Sequence, residues 1–171
     1  IKVDGMEITK STGEPVGPIK KEDIVITTED IMPEPTNSTV VILYFSDQNA
    51  MKLVPETREI EVNPNQPLEK YIVEQLIAGP ASEDLVATIP KETKIRDIET
   101  RENICYVDLS PDFFQKQAGG STAEGMAIYS IVNSLTELSN VTKVQFLIDS
   151  ANPQNESGHY DLTKPLERIE Y

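Results

Sequence analysis

The chain has 171 residues, 29 acidic against 15 basic side chains, a formal charge of -14, one cysteine and no tryptophan. That length suits one well-buried core with a tail, and two full domains are disfavoured. The charge argues against nucleic acid or an anionic membrane surface as partner, since the only basic cluster (Lys91, Lys94, Arg96, Arg101) is interrupted by Glu92, Asp97 and Glu99. With Cys105 alone there is no internal disulfide and no cysteine-based zinc site.

Residues 1–38 hold four prolines, three glycines and eight acids against four lysines, a composition that buries little surface and reads as an acidic linker or tether. Within it, Ile24-Val25-Ile26-Thr27 is β-prone and suited to pairing with a sheet edge. The start at Ile1 is expected of a mature or trimmed form, from which a signal peptide or lipid-anchor cysteine has already gone.

Residues 39–171 are expected to form the domain. Thr39 to Ser46 is a run of β-branched and aromatic residues, a central strand, and its apolar part, Val40 to Phe45, is too short to span a bilayer. After a turn at Asp47–Ala50, Met51–Val54 and Glu59–Val62 read as two short strands interrupted by Pro55. Asn65-Gln66-Pro67 predicts a capped helix start, and Gly79-Pro80 a stop. Leu68, Ile72, Val73, Leu76 and Ile77 form the buried stripe of that helix, opposite a solvated face of Glu69, Lys70 and Glu74.

Lys94–Glu99 and Asn103–Leu109 predict a hairpin turning at Thr100–Glu102. Both faces of the second strand are largely apolar, so it belongs inside a sheet, with Cys105 as an inert core thiol. Ser110-Pro111 then reads as an N-cap with proline at the first helical position, Phe113 and Phe114 anchoring the turn. After Gly119-Gly120, Ser121–Glu124 is a capping box for a second helix with a buried stripe of Ile128, Ile131, Val132, Leu135 and Leu138, and with Gly125 allowing close approach to the sheet. Its sparsely charged span, Ala127 to Ser139, is the expected contact surface. Val141–Asp149 is a strand with Thr142, Val144, Phe146 and Ile148 inward and Lys143 and Gln145 outward, and a polar tail follows. This order gives an α+β fold in which two helices pack on one face of a small mixed β-sheet, since helical crossovers favour parallel pairs and the hairpin forces an antiparallel one.

Five stretches, in order, resemble the GerMN family of sporulation and spore-germination lipoproteins of Gram-positive bacteria: Val41–Asp47, Glu74–Pro80, Tyr106–Ser110, Ile131–Thr136 and Val144–Asp149. The chain departs from the family pattern at Ser150, where a glycine usually follows the strand, and it holds one domain copy where the germination protein that named the family looks like two in tandem. The resemblance implies a fold similar to ring-building-motif domains. It implies a non-enzymatic envelope module, lipid-anchored on the extracytoplasmic face of the cytoplasmic membrane or in the intermembrane space of the developing spore. Its partners would be envelope or sporulation-complex proteins, or further copies of itself, with no nucleic acid, no cofactor and no membrane contact beyond the removed anchor.

The alternative is an envelope enzyme or ligand-binding domain acting on peptidoglycan through acidic residues, with Asp47, Asp108 and Asp149 at strand ends as the candidate carboxylates. Turn and cap hydrogen bonding is the simpler use of all three. His159 is the lone histidine, in a polar tail, and no Gly-x-Ser-x-Gly elbow accompanies it. Asp149, Asn152, Asn155 and Glu156 offer oxygen ligands for calcium, but not at EF-hand spacing. Gly119–Thr122 lacks the lysine of a phosphate loop. No catalytic, cofactor-binding or metal residue is therefore assigned.

Overall fold

The computed structural model describes residues 37–153 and 159–170. The expected tether, including Ile24–Thr27, lies outside the described residues except for Asn37 and Ser38, which already belong to the first strand.

Strand β1 (Asn37–Asp47) alternates as a half-buried strand should: Val41, Leu43 and Phe45 face the core while Val40 stands exposed. It pairs antiparallel along almost its whole length with β2 (Leu53–Val62). The two short strands expected here are thus one unbroken strand. Pro55 sits within it, opposite Tyr44, because β2 is a sheet edge and the Tyr44 amide turns the other way, donating to Ser134 Oγ at 2.9 Å.

Helix α1 (Leu68–Ala78) buries Ile72, Val73 and Leu76 and ends as expected at Gly79, whose φ of 99° only glycine adopts readily and whose N–H returns to the Gln75 carbonyl. Two details differ from expectation. Asn65 is not a cap: its own N–H donates to Asn63 Oδ1 at 2.8 Å, so Asn63 builds the turn. Glu69 is not solvated: it is buried and accepts from Thr100 Oγ1 at 2.8 Å. A two-residue strand, β3 (Leu85–Val86), then pairs with Ser46 and Asp47.

Strands β4 (Ile95–Arg101) and β5 (Ile104–Leu109) form the predicted hairpin, turning one step later than expected, at Glu102 and Asn103, both with positive φ as a two-residue primed turn requires. Strand β5 lies between β4, antiparallel, and β6 (Lys143–Ile148), parallel. This is the expected mixed sheet. Strands β1–β3 make a second, antiparallel sheet of order β2-β1-β3. Beyond β3, β1 meets the Ser134 hydroxyl in place of another strand, which keeps the sheets apart. The whole is an α+β fold.

Between β5 and β6 lie α2 (Asp112–Gln115) and α3 (Gly120–Leu135). Phe113 is buried as predicted, with Phe114 packed edge-on against it. Neither predicted side-chain cap forms. Ser110 Oγ accepts the Lys94 N–H at 3.0 Å, pinning the start of β4. Glu124, the supposed end of the capping box, is buried and bonds His159 Nδ1 at 2.9 Å. From Glu124 to Leu135 every residue of α3 except Tyr129 is buried. A helix buried all round belongs in the middle of a molecule, so it is not the contact surface expected of it.

The tail is what closes over α3 and β6. Leu162 is fully buried, Leu166 exchanges main-chain hydrogen bonds with Val144 (2.9 and 2.8 Å), and Asn133 clamps Ile169 by both its N–H and its carbonyl. Gln145, expected outward, is buried under this tail and donates to the Leu162 carbonyl at 2.8 Å. Gly125 faces the same tail, not a sheet: a Cβ there would lie 2.2 Å from the Tyr160 hydroxyl.

A half-buried ion pair ties α1 to β2. Arg58 pairs with Glu56 and donates to Gln75 Oε1 at 2.8 Å and to the Gly79 carbonyl at 3.0 Å, while Glu56 Oε2 accepts the Ala81 and Ser82 amides, both at 2.9 Å. Burial pushes the Glu56 carboxyl up, but the Ser82 amide, Arg58 and the Ala81 amide together outweigh it and hold it below its ordinary 4.5.

Because the folded state favours the charged form, Glu56 contributes stability above pH 4.5 that is lost as pH falls through the lower folded value. Glu56→Gln should therefore cost about 2 kcal/mol at neutral pH and flatten the acid limb of stability, read as urea midpoints from pH 7 down to 3. Gly125→Ala should cost roughly 1–3 kcal/mol by forcing Tyr160 aside. In urea melts that cost should shrink when Tyr160→Ala is added, a non-additivity that two independent sites would not show.

Candidate functional site

Each of the three strand-end carboxylates is bound to donors of its own. Asp47, at the end of β1, accepts the N–H groups of Met51 (2.7 Å) and Lys52 (3.1 Å), and the Met51 amide leads in holding its carboxyl below the usual range. Asp108, on β5 in the other sheet, is buried and accepts both the N–H and the hydroxyl of Ser150 at 2.9 Å. Asp149 is half exposed and paired with Arg96 Nε at 2.8 Å. Asp108 and Asp149 are close along the chain path of β5 and β6, but one carboxylate locks a turn and the other holds an arginine.

Ser150, the departure from the family pattern, has φ 69°, and Asp149 before it φ 49°. A glycine would adopt such angles freely; a serine here is retained by the two bonds it donates to Asp108.

Of the other candidates, His159 holds Glu124 across the helix–tail junction. Cys105 is fully buried, and burial pushes its thiol up to about 12, far from a reactive thiolate. Asn155 and Glu156 of the calcium reading lie outside the described residues. Gly119 adopts φ 108° as N-cap of α3.

One concave region lies elsewhere, between two segments well separated in the chain. Helix α1 and the start of β4 border an open groove of about 510 Å³ lined by Lys70, Glu74, Ile77, Ala78, Thr93 and Ile95. It is continued by one of about 310 Å³ that runs past Gln66, Pro67 and Arg96 to Ile98 and shares Lys70 and Ile95. Thr93 is 5% exposed and its hydroxyl has no hydrogen-bond partner. None of the three candidate carboxylates lines either groove.

Compared with known proteins, residues 42–153 match the family model Germane, described as sporulation and spore germination. No curated protein matches the chain. Among solved structures it is similar to a candidate lipoprotein from Clostridium perfringens (24% identity, TM-score 0.55, covering 77% of this chain and 88% of that one). It is similar too to the tandem GerMN domains of the Bacillus subtilis sporulation protein GerM (20% identity, TM-score 0.61, 78% of this chain and 46% of that one). The first GerMN domain of that protein alone is covered almost completely (18% identity, TM-score 0.60, 76% of this chain and 98% of that one). These likenesses show a shared fold. Among the described residues, no helix is long and apolar enough to cross a membrane.

The Asp108–Ser150 lock predicts an order of stabilities. Ser150→Ala keeps the unfavourable φ and loses a bond to a buried carboxylate, costing about 1–2 kcal/mol. Ser150→Gly loses the same bond but relieves the backbone, and should lie within about 0.5 kcal/mol of the parent. Thermal unfolding of the two variants side by side checks the order.

Proposed function

The chain belongs to the Germane family, described as sporulation and spore germination, and from that membership we propose that it is a non-enzymatic cell-envelope module that works through protein–protein contacts. The observation that carries this reading is the family match over residues 42–153. The use of Asp47, Asp108 and Asp149 in turns and an ion pair supports it, because a carboxylate occupied by structural donors is poorly placed for proton transfer to a sugar.

The location that fits is the extracytoplasmic face of the cytoplasmic membrane or the intermembrane space of the developing spore. Residues 1–38 serve as an acidic tether to a lipid anchor, and the likeness to a candidate lipoprotein supports that placement. Partners are envelope or sporulation-complex proteins or further copies of the chain. A charge of -14 works against bringing like copies together at low salt, so assembly requires complementary patches or a basic partner.

Incubated with purified peptidoglycan sacculi, the protein should release no soluble fragments. Cross-linked affinity capture from sporulating cells should recover envelope proteins. Fragment release that disappears in the Asp149→Asn variant would replace this reading with that of an envelope enzyme.

A further inference from the structure

A sheet edge with free main-chain donors and acceptors invites another strand, and folded proteins manage their edges. The edges here are managed unequally. Strand β2 carries Pro55, Glu59 and Glu61 along its length. Strand β6 is bridged by Leu166 of the tail. On β1, beyond β3, the Tyr44 amide is taken by Ser134. Strand β4 is charged at Arg96, Asp97, Glu99 and Arg101 and bulged between Ile95 and Asp97, yet among the described residues it has a neighbour only on the β5 side, and its residues Ile95, Arg96, Asp97 and Ile98 line the groove beside α1. In an antiparallel pair alternate residues turn N–H and C=O away from the partner, so outside the bulge between Ile95 and Asp97 the free side of β4 carries main-chain groups that β5 does not pair.

The groove walls add selectivity. Ile77, Ala78 and Ile95 give apolar surface, and Thr93 at the same end keeps a buried hydroxyl without a partner. Such orphaned groups are rare in native proteins. Lys70 and Glu74 face the groove and form no ion pair among the described residues. They stand four residues apart on α1, about 6 Å along the helix axis. In an extended chain, side chains on one face recur every second residue, about 6.6 Å apart.

We propose that the groove between α1 and β4 binds an extended peptide as an added strand, with an acidic side chain against Lys70 and, two positions along, a basic one against Glu74. Main-chain bonding to β4 supplies the affinity, and the helix charges supply register and choice of sequence. The assignment stands on the groove and not on the envelope role: its failure would leave the sacculus and capture experiments unaffected.

The test uses the whole chain, residues 1–171, to pan a random-peptide phage library, in parallel with the Lys70→Glu/Glu74→Lys double variant, whose changes are at surface positions. The parent should enrich peptides with an acid and a base two positions apart among β-prone residues, and the double variant should enrich the reversed order. A synthetic parent-selected peptide, titrated into the labelled protein, should shift the amide resonances of Lys70, Glu74, Ile95 and Ile98. It should bind the double variant about five- to tenfold more weakly, as two half-exposed ion pairs imply. No enrichment, the same charge order from both proteins, or resonance shifts confined to other surfaces would each overturn the proposal. So would a chain that dimerises through β4 and selects no peptide.

Discussion

Helix α3 is buried from Glu124 to Leu135, Tyr129 excepted, and the rest of the structure is arranged to meet its demands. Its apolar positions alone would let it slide or rotate among neighbours of similar shape. Its polar ones do not. Ser134 takes the Tyr44 amide of β1, Ser130 accepts from Thr88 Oγ1 at 2.7 Å, Asn133 clamps Ile169, and Glu124 holds His159. Each of these four side chains of the helix is buried, where a lost partner costs about 1–3 kcal/mol, so three segments, β1, the stretch at Thr88 and the tail, are fixed in register against one helix.

That central helix explains the division of the strands. A single sheet could have continued outward from β1, but the Ser134 hydroxyl lies where the next strand would pair. The described residues form two sheets of three strands, both packed against α1 or α3. Two small sheets have more edges for their size than one large one. The tail covers one of those edges and charge with proline blunts another, so the surface character of the module follows from what α3 needs inside it.

Local patterns in the sequence revealed the elements well. The 3.6-residue stripe of Leu68 to Ile77, the β-branched and aromatic run of Thr39 to Ser46, and the stop at Gly79 are properties of contiguous residues. What was not legible depended on partners distant in the chain. Glu69 and Gln145 read as solvated because carboxylates and amides usually are; each is buried because Thr100 or the Leu162 carbonyl arrives to satisfy it. The apparent capping box failed for the same reason, since its glutamate was claimed by the tail. Pro55 read as a break because nothing in a single sequence says that a strand will be an edge. The groove was invisible for a further reason: its walls come from two separated segments, and unpaired main chain has no signature in side-chain composition.

Electrostatics sets the terms on which such a module meets anything. At -14 the chain repels acidic surfaces over a Debye length of about 8–10 Å at physiological salt. Within that distance the balance changes, because hydrogen bonds between a strand edge and an incoming main chain do not depend on the net charge of either partner. Lys70 and Glu74 compensate each other locally, so the α1–β4 groove is close to neutral in its own helix charges within a strongly acidic protein. Approach is therefore governed by the overall charge and by salt, whereas retention is governed by main-chain geometry and by two side chains of opposite sign. An acidic body with a neutral, strand-receptive groove thus screens its partners at long range and reads their sequence only at contact.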